Sequence, residues 1–274
     1  MLMSRHTMRS AVVYLLTFLF LFASLFPIIW IIEGSLKTPD QNRAIPPIWI
    51  FQPTLEAYRG ITPGLPKYFS NSLIISCASV ALSLLIGIPA AYALARFNFK
   101  QRRSLTIWIL STKMAPGFAF VVPFYLIMRS LNLLDTLIAL TLVYLTFNLA
   151  FVVWIMQGFI EEMPVELEEA AMLDGCTRLD VLRRITIPLV LPGIIVTATL
   201  AFVTSWNEFL FAYVLTREAA VTIQPMIASR VSFYKIDWEQ MCAYSTVAML
   251  PVVTLSLSVR KYLTRGLTLG AIKG

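Results

Sequence analysis

Long stretches without charged residues dominate the chain. Five runs contain no Asp, Glu, Lys or Arg: 10–32, 68–95, 136–160, 185–207 and 240–259. A helix needs about 20 apolar residues to cross the roughly 30 Å hydrocarbon core of a bilayer, and each run is long enough. A sixth stretch, 105–128, is apolar apart from Lys113, and its prolines are tolerable because neighbouring helices can satisfy the freed backbone groups. The pattern predicts an all-α polytopic membrane protein with six transmembrane helices.

Composition supports this prediction. Hydrophobic residues make up 58% of the 274 residues and charged residues only 14%, and the mean hydropathy is +0.76. A soluble fold of this size could not hide so much apolar surface. The shortage of charge excludes a disordered chain, and three scattered cysteines exclude a disulfide scaffold.

Basic residues are distributed unevenly over the predicted loops. If both termini are cytoplasmic, the cytoplasmic segments hold 13 lysines and arginines and the outer segments eight. This is the bias that the positive-inside rule expects. It also accounts for the net charge of +7 without a nucleic-acid partner.

The expected layout follows from these spans. The predicted parts are a cytoplasmic N-terminal tail at 1–10, a membrane domain at 11–259 and a cytoplasmic C-terminal tail at 260–274, with outer loops at 33–67 and 214–239 and an inner loop at 157–187. The first apolar run is too long for a typical signal peptide, so we expect it to remain as a membrane anchor.

The inner loop is the most informative segment, because ten of the 28 residues at 161–188 are charged. A helix is predicted over 164–173, since proline suits the first helical position. Gly175 is expected to end this helix in the left-handed conformation. Thr177 can cap a second short helix, after which Pro188 is expected to open the fifth span.

The face of the predicted helix allows two interpretations. Leu167, Ala170, Ala171 and Asp174 follow helical spacing, so that one face offers two adjacent methyl groups surrounded by acids. A solvated hairpin that only links two spans needs neither small side chains nor a glycine turn. A docking surface for another protein uses both, and the detail favours docking.

Three patterns in the chain resemble a known family. The order Glu169-Ala170-Ala171-x-x-x-Gly175, nine residues, Ile185-x-Ile187-Pro188 is similar to the EAA loop, EAA-x3-G-x9-I-x-L-P, of permease subunits from binding-protein-dependent ABC importers. Only Ile187 departs, because leucine is usual there. Trp206-Asn207-Glu208-Phe209 and the ending Arg265-Gly266-Leu267-Thr268-x-Gly270-Ala271-x-Lys273-Gly274 are typical of the second permease subunit of maltose-type carbohydrate systems.

The resemblance implies a type I ABC importer permease fold in a bacterial inner membrane and a function in uptake of a sugar or sugar alcohol. The implied partners are a homologous second permease, two cytoplasmic ATPases that bind ATP and Mg, and an extracytoplasmic solute-binding protein. Coupling to the ATPase is assigned by resemblance to Glu169, Ala170, Ala171, Leu173 and Gly175. The C-terminal tail either reaches toward the ATPases, as the resemblance implies, or is an ordinary basic flank.

The sequence lacks the motifs of an enzyme, as a transport subunit would. No phosphate-binding G-x-x-x-x-G-K-[ST] loop, metal-ligand cluster or activated nucleophile occurs, and the single histidine is His6. We therefore expect no enzymatic activity, cofactor or metal in this chain. Two other functions are alternatives to an ATP-driven importer. An ion-driven secondary transporter would use more membrane carboxylates than Glu208 and an internal repeat, and a non-transporting adaptor would not need the small-residue face.

Ionisable groups inside spans are candidates for the substrate pathway. At about 1.5 Å per residue, Lys113 lies roughly 13 Å and Glu208 roughly 24 Å from the inner surface. These depths argue against a direct ion pair unless the proline breaks shift a helix. Glu208, with Asn207, is assigned either to the outer part of the pathway or to a polar contact between spans.

Asn148 and Tyr144 lie one turn apart on the same face of the fourth predicted span, with Asn148 close to the middle of the bilayer. An amide beside an aromatic ring suits a sugar, which needs hydrogen bonds at its edge and an apolar surface beneath its ring. The alternative is that Asn148 forms a hydrogen bond between helices, worth about 1 kcal/mol or less.

Overall fold

The computed structural model describes the backbone of residues 5–232 and 235–269, and side chains within 10–232 and 235–261. Residues 1–4 of the predicted N-terminal tail and the side chains of the C-terminal motif at 265–274 lie outside the described residues.

Helices account for the regular structure of the described chain. They are α1 Arg5–Ser35, α2 Pro39–Arg43, α3 Glu56–Ile61, α4 Leu65–Arg96, α5 Arg102–Met114, α6 Val121–Ser130, α7 Leu137–Glu161, α8 Glu166–Leu173, α9 Arg178–Val181, α10 Ile187–Leu189, α11 Leu191–Trp206, α12 Leu210–Leu215, α13 Ile223–Ala228 and α14 Trp238–Leu269. A 3-10 turn precedes α6 and a π-helical turn follows α9. No strand occurs in these ranges, so the all-α prediction is confirmed.

Four of these helices are long and apolar enough to cross a membrane: α1, α4, α7 and α14. Two further helix pairs pass the same test together but are sharply bent. Counting each bent pair as one span gives six, which matches the six predicted spans.

The third span is sharply broken at Pro116, one of the prolines that were expected to be tolerated within it. The segments Arg102–Met114 and Gly117–Ser130 meet at 96°. Ala115 is extended, with φ −73° and ψ 134°, as a residue before proline prefers to be. Pro116 also has no N–H to continue the helical ladder, so the helix ends and the chain turns.

The fifth span is bent as well. Arg178–Leu189 and Leu191–Trp206 meet at 76°. The prediction that Pro188 opens this span was wrong, because Pro188 lies inside the short helix α10 and the long helix α11 begins at Leu191. Pro192 occupies the first turn of α11, where a missing N–H has no cost.

The chain divides into two compact units, 1–66 with 226–249 and 67–225 with 250–274. In the first unit, the Asn42 side chain donates to the Gly34 carbonyl at 2.9 Å and the Arg230 guanidinium donates to the Gln240 side-chain oxygen at 2.9 Å. These bonds join α2 to the end of α1 and the segment after α13 to the start of α14.

The second unit is built around α4 and α7, which share two apolar clusters. One cluster includes Ile88, Tyr92, Val152 and Met156, and the other includes Ile75, Leu140, Val143 and Phe211. Gly87 lets the helices approach closely, because a Cβ atom there would lie 2.7 Å from Val152 Cγ1.

Candidate functional site

A cavity of about 200 Å³ lies in the second unit beside the break after α5. Its wall is lined by Thr112, Lys113, Ala115, Gly117, Tyr144, Phe147, Asn148, Thr204, Ser205, Glu208 and Phe211. The cavity therefore combines hydroxyl groups, one cation and one carboxylate with three aromatic rings. Three of the four predicted pathway residues line it, whereas Asn207 does not.

Asn148 joins three helices. Its side chain is 2% exposed, and its Nδ2 donates to Ser205 Oγ of α11 at 2.7 Å and lies 3.4 Å from Ser79 Oγ of α4. This geometry matches the interhelical hydrogen bond that was one of its two interpretations. Contact of Asn148 with a sugar stays a prediction.

Glu208 is held by three donors. The Tyr144 hydroxyl donates to Oε2 at 2.9 Å, and the backbone N–H groups of Phe211 and Ala212 donate to the carboxylate at 3.0 and 3.2 Å. Glu208 thus joins α7 to the start of α12, which is the polar contact that was one of its two interpretations. It also lines the cavity, and its place in the substrate pathway stays a prediction. Asn207 is exposed, and its Nδ2 donates to the Val203 carbonyl at 3.0 Å.

Lys113 lines the same cavity as Glu208. Its Nζ lies 5.3 Å from the centre of the Phe151 ring. Within the described chain the two side chains form no ion pair, in agreement with the argument against direct pairing. The cavity therefore presents a cation and a carboxylate separately.

Among the described residues no three His, Cys, Asp or Glu side chains are grouped as metal ligands would be.

The inner loop folds as a helix, a turn and a second helix. The predicted end of α8 at Leu173 is confirmed, although α8 begins at Glu166 rather than at Pro164. Gly175 has the predicted positive φ, +89°. The backbone N–H of Gly175 donates to the Met172 carbonyl, and the N–H of Cys176 donates to the Ala171 carbonyl. This pair of hydrogen bonds is a Schellman motif. Thr177 caps α9 as predicted, in a reciprocal capping box with Asp180.

The five residues assigned to ATPase coupling are not equally accessible. Glu169, Ala170 and Gly175 are exposed, and Leu173 is 90% exposed. Ala171 is buried at 7% exposure. The predicted face with two adjacent methyl groups is therefore divided, with one methyl group outside and the other packed inward.

Glu168 was missed by the sequence analysis and fixes α8 to the helix core. It is 1% exposed and accepts hydrogen bonds from Arg96 Nε at 3.1 Å, Tyr92 Oη at 3.0 Å and Thr186 Oγ1 at 3.1 Å. Arg96 Nη2 also donates to the Met163 carbonyl at 2.8 Å. We call these four side chains, Glu168, Arg96, Tyr92 and Thr186, the Glu168 anchor. No local sequence signal pointed to Glu168, because the sequence analysis placed Ala171, three residues later, on the docking face rather than in the core.

A second carboxylate was also missed, at the start of α7. Asp135 has φ +58°, a conformation in which aspartate is enriched. Its carboxylate accepts four backbone N–H bonds, from residues 217–220, at 2.9 to 3.1 Å. Burial alone would raise the pKa of Asp135, but these four bonds favour the charged form and lower the pKa below its usual value. We call this contact the Asp135 anchor.

Comparison with known proteins identifies the family of the chain. Residues 83–269 match the family described as "Binding-protein-dependent transport system inner membrane component". The chain belongs to this family. The permease is thus a multi-pass transport subunit of an inner membrane rather than an enzyme. Membership in this family decides against both the secondary transporter and the non-transporting adaptor.

Individual relatives agree with the carbohydrate branch of the resemblance. The permease is 34% identical over 253 residues to the diacetylchitobiose uptake system permease protein DasC of Streptomyces coelicolor, a match that covers 91% of the permease and 92% of that protein. It is 34% identical over 256 residues to the trehalose/maltose transport system permease protein MalG of Thermococcus litoralis, which covers 91% and 92% of the two chains.

A solved structure confirms the fold. The permease superimposes with a TM-score of 0.78 on a chain of a bacterial ABC transporter that imports the acidic polysaccharide alginate. The match has 24% identity and covers 96% of the permease and 99% of that chain. The type I importer permease fold is therefore established, while the roles of single residues stay predictions.

Proposed function

We propose that the permease forms half of the translocation pathway of an ATP-driven importer for a sugar or sugar alcohol. The other half is a homologous permease subunit, two cytoplasmic ATPases bind ATP and Mg, and an extracytoplasmic protein delivers the substrate. The dependence of the family on a binding protein and the carbohydrates named for the two curated relatives support this proposal.

The main support for the proposal is the geometry of the inner loop. Its base is fixed by the buried Glu168, while Leu173 at the end of α8 is 90% exposed. Leu167 and Leu179 of the same loop are also exposed, at 46% and 53%, and several exposed apolar side chains on a fixed support suit contact with another protein. We assign this contact to the ATPase.

Movement of the ATPases would reach the pathway through rigid elements. A displacement of α8 acts on α4 through the Glu168–Arg96 contact and on α11 through the segment after α9. The cavity with Lys113 and Glu208 lies where α5, α7 and α11 meet, so a rigid-body shift of these helices changes its walls. Such two-state rocking is what alternating access requires.

Within the cavity, we propose that Phe147 and Phe211 offer apolar faces to the sugar ring. Lys113, Thr112 and Glu208 supply polar groups at its edge, because carbohydrates need both kinds of contact. Tyr144 and Asn148 act mainly by holding Glu208 and Ser205 in place.

We also propose that both termini and the inner loop face the cytoplasm. Cys176 lies in this loop and is partly exposed, so its thiol can be labelled without introducing a new cysteine. In a C77A/C242A background, a membrane-impermeant maleimide should label Cys176 in inverted vesicles and not in intact cells. Labelling of Cys176 in intact cells would contradict the orientation.

The coupling role is tested at Gly175. A valine there must adopt φ near +89°, which costs about 1–2 kcal/mol and displaces the turn. In proteoliposomes with the partner subunits, Gly175→Val should insert normally but lose uptake and the stimulation of ATP hydrolysis by loaded binding protein. Gly175→Asn is the matched control, because asparagine tolerates positive φ.

Two outcomes would contradict the proposal. Normal uptake by Gly175→Val would remove the coupling role from the turn. A complex that assembles and hydrolyses ATP, but is never stimulated by any sugar with its binding protein, would exclude a carbohydrate as substrate.

A further inference from the structure

A basic pocket and an apolar groove follow one another along α5 and α7. The pocket has a volume of about 640 Å³ and its polar lining residues are Asn98, Lys100, Arg102, Arg103, Thr106 and Gln157. The groove has a volume of about 480 Å³ and a mostly apolar wall, which includes Trp108, Ile109, Phe120, Ala150 and Val153. At its far end it shares Thr112, Lys113 and Phe147 with the cavity beside the break after α5. Neither the translocation cavity nor the inner loop explains the pocket.

The pocket and the groove adjoin, because the same stripe of each helix lines both. On α5, Thr106 of the pocket is three residues before Ile109 of the groove. On α7, Gln157 of the pocket is four residues after Val153 of the groove. One helical turn, about 5.4 Å, separates the two members of each pair along the axis.

The pocket has more positive than negative charge. Arg102 Nη2 forms an ion pair with Glu161 Oε1 at 2.7 Å, and Glu161 also accepts a hydrogen bond from Gln157 at 2.9 Å. Lys100 and Arg103 are exposed, and neither forms an ion pair within the described chain. After Glu161 is counted, two cations remain without a counter-ion.

The pocket lies at the membrane surface. It is formed between the end of α4 at Arg96 and the start of α5 at Arg102, and both helices are spans or parts of spans. Ile107 at its edge is 57% exposed, and Trp108, the next residue, which lines the groove, is 66% exposed. A cationic rim is therefore followed at once by an apolar surface.

We propose that this site binds an anionic phospholipid, with the phosphate near Lys100 and Arg103 and one acyl chain in the groove beside Trp108. Basic clusters at the end of a transmembrane helix recognise anionic head groups. A free phosphate would fill the pocket and leave the groove unused. A zwitterionic lipid would bring its own cation and leave the excess positive charge uncompensated.

Fluorescence of Trp108 tests the proposal directly. The permease is purified in detergent with the subunits that it assembles with, and phosphatidylglycerol with brominated acyl chains is titrated against brominated phosphatidylcholine. Trp108→Phe measures the contribution of the other five tryptophans. Quenching assigned to Trp108 should occur at a lower concentration of the anionic lipid, by about 25-fold if each unpaired cation contributes about fivefold.

The charge requirement is tested with Lys100→Gln/Arg103→Gln, which should quench equally with both lipids. Arg183→Gln/Arg184→Gln is the matched control, because it removes two exposed cations of the inner loop that do not line the pocket, and it should keep the preference. A preference that survives in the first variant overturns the proposal.

Three further outcomes would also overturn it. Equal quenching by both lipids in the unmodified permease would mean that the head group is not recognised. Complete displacement by millimolar inorganic phosphate would identify a soluble anion as the ligand. Absence of Trp108 quenching by either lipid would mean that another subunit covers the groove. Since the assay contains no sugar or ATP, each of these results leaves the importer proposal unaffected.

Discussion

The permease fixes two loops by one carboxylate each, but it does so with different partners. Glu168 is buried and is bound by the side chains of Arg96, Tyr92 and Thr186. Asp135 is partly exposed and is bound by four backbone N–H groups at 217–220. The first contact supports the inner loop, and the second holds the segment after α12 against the start of α7.

This difference determines which positions can vary. A side-chain contact in a medium of low dielectric constant requires particular residues at every position, and an unpaired member is costly. A backbone contact requires only Asp135, because any residue except proline supplies an N–H. The inner loop is therefore expected to need particular residues at its anchor, whereas the segment at 217–220 can change its side chains and keep its course.

The largest expected effect comes from breaking the Glu168 anchor. Arg96→Met leaves the Glu168 carboxylate buried without its cation, and we expect a loss of about 3–5 kcal/mol in the free energy of unfolding. Unfolding by sodium dodecyl sulfate in mixed micelles measures this loss. Arg102→Met is the matched control, because its ion pair with Glu161 is more than a third exposed and contributes about 0–1 kcal/mol.

A double variant distinguishes the buried charge from general damage to packing. Arg96→Met/Glu168→Leu removes both charges and should recover most of the stability that Arg96→Met loses. If the double variant is no more stable than the single one, the cost arises from packing and the anchor is not electrostatic.

The two anchors also mark the limit of sequence analysis. The spans, the Schellman turn at Gly175 and the cap at Thr177 were predictable, because they depend on composition and on residues within a few positions. Glu168 and Arg96 are 72 residues apart, and Asp135 is 82 residues from the first of its partners. No local pattern reports such contacts.

The bends have a related explanation. Pro116 was recognised in the sequence, but whether a proline kinks a span or ends it depends on which neighbours satisfy the freed carbonyls. Ala170 is exposed and Ala171 is buried, and this difference depends likewise on how Glu168 packs into the core. These outcomes follow from tertiary packing, which a single sequence does not encode locally.

A smaller effect is expected at the Asp135 anchor. Asp135→Ala removes all four acceptor contacts, and we expect a loss of about 1–2 kcal/mol, since water screens bonds at a partly exposed site. Hydrogen exchange of the amides at 217–220 should accelerate by about 5–30-fold. Glu218→Gln is the control, because only its backbone takes part. Unchanged exchange in Asp135→Ala would mean that other contacts hold the segment.

Acid should weaken this anchor selectively. The pKa of Asp135 is lower in the folded protein than in the unfolded chain, where it is about 3.9. A lowered pKa stabilises the fold at every pH above the unfolded value, and this contribution is lost as pH falls from about 3.9 toward the folded pKa. Hydrogen exchange of the amides at 217–220, divided by the intrinsic exchange rate at each pH, should therefore stay constant from pH 7 to about pH 5 and rise near pH 3. Asp135→Asn should lack the rise that is specific to this segment.

The smallest expected effect is the sharpest test of the comparison. Exchange of the exposed side chains in Arg217→Glu/Glu218→Arg keeps every N–H that Asp135 binds, so the free energy of unfolding should change by less than about 0.5 kcal/mol. Amide exchange at 217–220 should also stay within about twofold of the original rate. The corresponding exchange at the other anchor, Arg96→Glu/Glu168→Arg, should be strongly destabilising, because Tyr92 and Thr186 are placed to donate to a carboxylate at position 168. If both exchanges had the same effect, the distinction between a backbone anchor and a side-chain anchor would fail.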